Sequence, residues 1–205
     1  MTVEMRATSY GQTRPLTPVE RFGVWLSAVR IRRYVRDFAG LRVGDFGCGY
    51  QARFMRSILD RTAQAVLADV ELAPDLKQLA KVTALEGPLP EVLAPLRDGS
   101  LDVILAISVL EHLWHPLEAL QAFRRLCAPG GLVLINVPSW RGKWFLEFSA
   151  FKLGVSVEEM DDHKMYYDPR DLWPLLVQAG FRPSRITVFR HKFGLNTFAV
   201  CRNIP

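Results

Sequence analysis

Cysteine is scarce: the chain holds three in 205 residues, Cys48, Cys127 and Cys201. They show neither metal-site spacing nor the even count of a disulfide framework, which fits a reducing compartment. Long apolar runs are missing too. The first residues carry no hydrophobic signal core, and no stretch approaches the roughly 20 residues of a membrane span. There is no internal repeat, no low-complexity tract and no strong charge excess, since 26 Lys and Arg against 21 Asp and Glu leave +5. These absences exclude a disulfide-stapled scaffold, a membrane-spanning helix bundle and a disordered chain. With 49% hydrophobic and 23% charged residues, the expectation is a soluble, cytoplasmic globular protein with a sizeable core.

What the chain does have is alternation. Residues 1–17 are polar and end near Gly11, Pro15 and Pro18, so a flexible arm is expected there, with a single domain over 18–205. A helix is expected from Pro18 to Phe38, on the spacing of Phe22, Trp25, Leu26, Val29, Tyr34 and Phe38. Apolar runs at Leu41–Phe46, Ala65–Val70, Lys81–Leu85, Asp102–Ile107 and Leu132–Val137 read as strands. Helices are expected between them at Arg53–Leu59, Ala73–Leu79, Pro90–Leu96 and Pro116–Leu126. Such alternation predicts an α/β fold, a doubly wound and mostly parallel sheet with helices on both faces. Two further strands, Arg185–Arg190 and Asn196–Arg202, are joined by only Lys192-Phe193-Gly194-Leu195, which suits antiparallel neighbours alone. The expected sheet therefore has seven strands and ends in an antiparallel hairpin.

The segment Asp45-Phe46-Gly47-Cys48-Gly49-Tyr50 is a strand running into a glycine turn, and Asp69 ends the next strand about twenty residues on. Glycines there let the backbone turn sharply and approach a ligand, and the second carboxylate stands where a ribose diol is held. Gly47 to Ala52 also satisfies G-x-G-x-x-A, a dinucleotide pattern, so two cofactors compete. Charge separates them. A pyrophosphate wants bare N–H groups, whereas a ligand carrying an ammonium and a sulfonium wants Asp45 and Asp69. Asp45 as a cap on the following loop is the plainer alternative.

Four segments together resemble the class I S-adenosylmethionine-dependent methyltransferases, from about Arg36 to Arg202. Asp45 to Gly49 is similar to the family's D-x-G-C-G loop, and Asp69 to its ribose-binding acid. Asp98 to Ile104, followed by Ser108-Val109-Leu110-Glu111-His112-Leu113, resembles the stretch around its fourth strand. Leu126-Cys127-Ala128-Pro129-Gly130-Gly131 resembles the turn before its fifth. Gln51 stands where the family often has a third glycine, and Glu86 occupies the stretch of its adenine-side acid. The resemblance implies a Rossmann-like methyltransferase fold and S-adenosyl-L-methionine as cofactor. It places Asp45, Gly47, Cys48, Gly49, Asp69, Val70, Ile107 and Ser108 around that cofactor.

For the acceptor side, His112 and His163 are candidate general bases, each with an ordinary structural role as its alternative, and His115 before Pro116 reads as a helix start. Some relatives carry E-x-x-E-H here and bind a divalent ion; Ser108 replaces the first acid, leaving Glu111, His112 and His163, and no metal is expected. An aromatic insertion at about 139–167 supplies Trp140, Trp144, Phe148 and Tyr166 as candidate substrate residues, either as a lid packed like ordinary core or as an acceptor pocket. With the basic helix around Arg30–Arg36 it suggests contact with an anionic membrane surface. The expected activity is methyl transfer to a small or lipid-linked metabolite, with oxygen the favoured atom. An RNA or protein methyltransferase and a non-catalytic binding protein of the same fold are the alternatives. No N-P-P-Y or N-P-P-F stretch is present, and nucleic acid is not favoured. Oligomeric state stays open.

Overall fold

A computed structural model describes residues 8–144 and 163–204. Its elements are α1 (Pro18–Tyr34), β1 (Arg42–Phe46), α2 (Arg53–Arg56), β2 (Gln64–Asp69), β3 (Val82–Glu86), β4 (Leu101–Ile107), α3 (Pro116–Leu126), β5 (Cys127–Pro138), α4 (Pro169–Gln178), β6 (Ile186–His191) and β7 (Asn196–Arg202). Seven strands form one sheet in the order β3-β2-β1-β4-β5-β7-β6. The first five are parallel, and β7 runs antiparallel between β5 and β6. This is the Rossmann-like architecture expected from the alternation.

Alternate strand residues feed two cores. Phe46, Ala68, Ile104, Ala106 and Ile135 pack with α3 and α4 on one face. Val43, Leu67, Leu105, Leu134 and Phe198 pack with α1 and α2 on the other. A sheet covered on both faces explains why its strands read as near-continuous apolar runs. Arg42 and Asp102 pair across β1 and β4 at 2.7 Å, at the end of the sheet away from the glycine turn.

Helix boundaries follow local chemistry. At α1, Thr17 and Glu20 form a capping box, the Thr17 N–H donating to Glu20 Oε2 at 2.6 Å. The helix ends at Tyr34 rather than Phe38. Three expected helices are shorter than the sequence suggests. At α2 the Ser57 hydroxyl donates back to the Phe54 carbonyl and the helix stops after one turn. Pro95 ends one of the other two, leaving a single turn at Glu91–Leu93, and the second keeps only the turn Leu76–Gln78. Nor is β5 confined to Leu132–Val137. Its pairing with β4 starts at Cys127 and shifts register between Leu101 and Val103, so the expected Pro129-Gly130-Gly131 turn survives as a bulge inside the strand.

Candidate functional site

The carboxyl ends of β1, β2, β4 and β5 share one edge of the sheet, and the β6–β7 turn returns to that edge because β7 is antiparallel. A cleft of about 960 Å³ opens there. Gly47 and Gly49 both have positive φ, +74° and +75°. A side chain at Gly47 would collide with Val109, and one at Gly49 would press on the Tyr10 carbonyl. From Ser9 to Gln12, where a loose arm was expected, the chain bonds to this loop. The Ser9 hydroxyl donates to the Glu71 carbonyl at 2.6 Å, and the Tyr50 N–H donates to the Tyr10 carbonyl at 3.0 Å.

Asp45 ends up buried with its carboxylate facing the cleft, and among the described residues it forms no hydrogen bond or ion pair. Burial first, and the neighbouring Asp69 second, push its carboxyl up to about 7. A buried acid without a partner is costly unless something cationic meets it. Asp69 is already organised, accepting from the Gly49 N–H at 2.7 Å and the Val70 N–H at 2.8 Å. Glu86 is turned to other work. It accepts from the Leu72 N–H and pairs with Lys77 at 2.6 Å.

All eight candidate cofactor residues line the cleft: Asp45, Gly47, Cys48, Gly49, Asp69, Val70, Ile107 and Ser108. Helix α2 starts at Arg53 as expected but has only four residues, and Ala52, its cap position, is left-handed with φ 42°. The cradle is therefore made of glycine backbone and two carboxylates, a donor-poor and acid-rich set that fits a cation better than a pyrophosphate.

On the other side of β4, Glu111, His112 and His163 bring one ligand atom each to within 4.8 Å of one another. The two imidazole rings meet edge to face at 4.9 Å, and His163 Nδ1 lies 3.1 Å from the Tyr166 hydroxyl. Two imidazoles and a carboxylate are a donor set able to hold a divalent cation. The sequence reading reached these three residues yet expected no metal. His115 also lines the cleft, without capping α3 through its side chain.

The aromatic candidates fare differently. Trp140, Trp144 and Tyr166 are absent from the cleft lining. The Trp140 indole N–H donates to Asp171 at 3.2 Å and its ring packs on Tyr166, while Trp144 is largely exposed. Phe148, like Phe145 and Phe151, lies outside the described residues. Other apolar residues line the cleft instead: Val19, Phe22 and Leu26 of α1, Trp114, and Phe193.

Lys192 was also missed. It lines the cleft from the β6–β7 turn, where Lys192, Phe193 and Gly194 have φ of 48°, 59° and 84° in succession. A non-glycine residue in that region costs about 1–3 kcal/mol and persists only where its surroundings enforce it. Here the Ser139 hydroxyl donates to the Gly194 carbonyl at 2.8 Å, and the Ser139 N–H donates to Leu195. Among the described residues the non-glycine positions with positive φ are Ala52, Ser108, Lys192 and Phe193, and all four line the cleft. Burial pushes the Lys192 ammonium down to about 8, against the pull of Glu111. Gly194 was the signal at hand, since a glycine between two strands marks a turn, but nothing in the sequence aims the lysine.

Residues 21–185 match the family model described as a methyltransferase domain. The chain belongs to that family, and S-adenosylmethionine is the cofactor its membership implies. Among known proteins it is similar to the ubiquinone biosynthesis O-methyltransferase of Xanthomonas oryzae pv. oryzae, 32% identical over 108 residues, covering 49% of this chain and 44% of the relative. It is 29% identical over 166 residues to a probable S-adenosylmethionine-dependent methyltransferase of Mycolicibacterium smegmatis, covering 80% and 61%. The chain thus spans about half the length of these curated relatives. A methyltransferase structure from Archaeoglobus fulgidus superposes with a TM-score of 0.63 at 16% identity, over 91% of this chain and all of that one, a likeness of fold.

Proposed function

We propose that this protein transfers a methyl group from S-adenosylmethionine to an oxygen of a small or lipid-linked acceptor. The observation that carries this is the unpartnered, buried Asp45 in one cleft with the His112–His163 pair. When bound, S-adenosylmethionine supplies an electrophilic methyl group on a sulfonium. Asp45 meets positive charge, Asp69 with the Gly47–Gly49 backbone holds the ribose end, and Ile107 and Ser108 line the far side. His112 or His163 removes the proton from a hydroxyl acceptor, the step a hydroxyl nucleophile needs and a carboxylate does not. Holding donor and acceptor in line is the larger contribution, worth about 7–11 kcal/mol in well-aligned cases. The Xanthomonas relative is named as an O-methyltransferase, which supports oxygen as the acceptor atom.

The apolar mouth supports an apolar or lipid-borne acceptor. Val19, Phe22, Trp114 and Phe193 line the cleft and are each at least half exposed. Methyl transfer from radiolabelled S-adenosylmethionine to a panel of phenols, carboxylic acids and prenylated phenols tests the reading. Turnover with a hydroxylated acceptor, falling at least tenfold in H163Q, is expected. Cofactor binding without turnover on any acceptor would leave a non-catalytic binding protein. Labelling of RNA or protein instead would move the substrate class.

A further inference from the structure

We propose that Lys192 forms an anion-binding subsite in the acceptor half of the cleft, so that the acceptor carries a carboxylate beside its methylated oxygen. This rests on the methyltransferase reading and names the substrate class for the same cleft.

Position argues first. Asp69 stands at the end of β2, and β7 lies four strand steps away, about 19 Å at ~4.8 Å per step. The β6–β7 turn therefore belongs to the opposite end of the cleft from the ribose acid. It leans on the end of β5, where Asn196 pairs with Pro138 and Ser139 holds the Gly194 carbonyl. A group bound by Lys192 is accordingly part of the acceptor and not of the cofactor.

Electrostatics argues second. Lys192 is half buried, and among the described residues it forms no ion pair or hydrogen bond through its ammonium. Its Nζ faces Gly23 of α1, where even an added methyl would sit 3.8 Å away, so no side chain of that residue occupies the space beside the charge. Glu111 is the acid whose charge reaches it, yet among the described residues no ion pair forms between them, and a half-buried ammonium with no hydrogen-bond acceptor favours an anionic oxygen there. The third argument is conformation. A lysine at φ 48° is strained, and glycine would relieve it, yet the turn holds a lysine there, with Phe193 beside it directed to the rim.

The probes are benzoate and benzamide, matched in shape and different in charge. Their affinity for wild-type protein, with and without saturating S-adenosylhomocysteine, is measured by calorimetry beside K192M, K192R and K192G. Benzoate is expected to bind at least tenfold tighter than benzamide in the wild type. K192R should retain most of that preference, whereas K192M and K192G should abolish it. S-adenosylhomocysteine affinity should stay within twofold in all variants, and K192G, relieved of the positive φ, should melt no lower than wild type. Equal affinity for both probes, no benzoate binding at millimolar concentration, or a preference surviving in K192M would overturn the proposal. Loss of S-adenosylhomocysteine binding in K192M would also overturn it, by assigning the lysine to the cofactor. If the wild type itself fails to bind S-adenosylhomocysteine, the methyltransferase reading falls, while the benzoate preference is still read directly.

Discussion

With its carboxyl pushed up to about 7, Asp45 is half protonated near neutral pH before any cation arrives. A bound cation favours the ionised form, so binding expels a proton, and S-adenosylmethionine affinity should rise with pH by up to tenfold per unit between pH 5 and 7. D45N should bind at least tenfold more weakly with a flat profile, as read by calorimetry. The linkage to stability has the opposite sign. A carboxyl whose folded pKa lies above its unfolded value destabilises the fold increasingly as pH rises from about 4 to about 7. D45N should therefore melt higher than wild type at pH 8. Glu111, His112 and His163 carry a second expectation: about 1 mM Mn²⁺ should raise the melting temperature, and H163A should remove most of that rise. How these residues could be read in advance differs. Asp45, Gly47, Gly49 and Asp69 announce themselves because the turn and its carboxylates are local in the chain. Lys192 does not, because its place in the cleft depends on the end of β5, more than fifty residues away.

Among the elements, the β6–β7 turn is held from outside, by the segment that follows β5. Gly142 shows this, since a side chain there would collide with the Leu195 carbonyl, and the Gly142 N–H donates to Ser139 Oγ at 3.0 Å. G142A should cost about 1–3 kcal/mol by forcing the turn outward, seen as a lower midpoint in urea. It should also weaken acceptor binding more than cofactor binding, by calorimetry. Strands were legible within one or two residues, because burial on both faces writes them as apolar runs. The exception is β5, where a proline and two glycines read as a stop although the strand continues through a bulge. Short helices were not legible. Seven-residue patterns such as Ala73–Leu79 have too few turns to form without tertiary support.

For the molecule as a whole, the exposed apolar rim and the basic residues beside it form one surface. Phe22 and Trp25 stack at 5.7 Å on the outer face of α1, and the same helix ends in exposed Arg32 and Arg33. Lys164 sits over Trp114 at 5.2 Å. An aromatic rim with cations beside it suits an anionic lipid surface. The protein should co-sediment with phosphatidylglycerol vesicles and much less with phosphatidylcholine. Binding should fall at 0.5 M salt and in the F22S/W25S double variant, whose S-adenosylhomocysteine affinity should not change. No described helix is long and apolar enough to cross a membrane. The mostly parallel seven-stranded sheet and its closing antiparallel hairpin were legible at this scale, because alternation of strands and helices leaves few topologies, whereas the strand order was not read in advance. One consequence of that order concerns synthesis. Strand β7 is made after β5 and β6 yet lies between them, so the outer edge of β5 waits for roughly sixty more residues. At about 5–20 residues per second, that edge stays open on the ribosome for some seconds, and mispairing during that interval is the hazard this topology builds in.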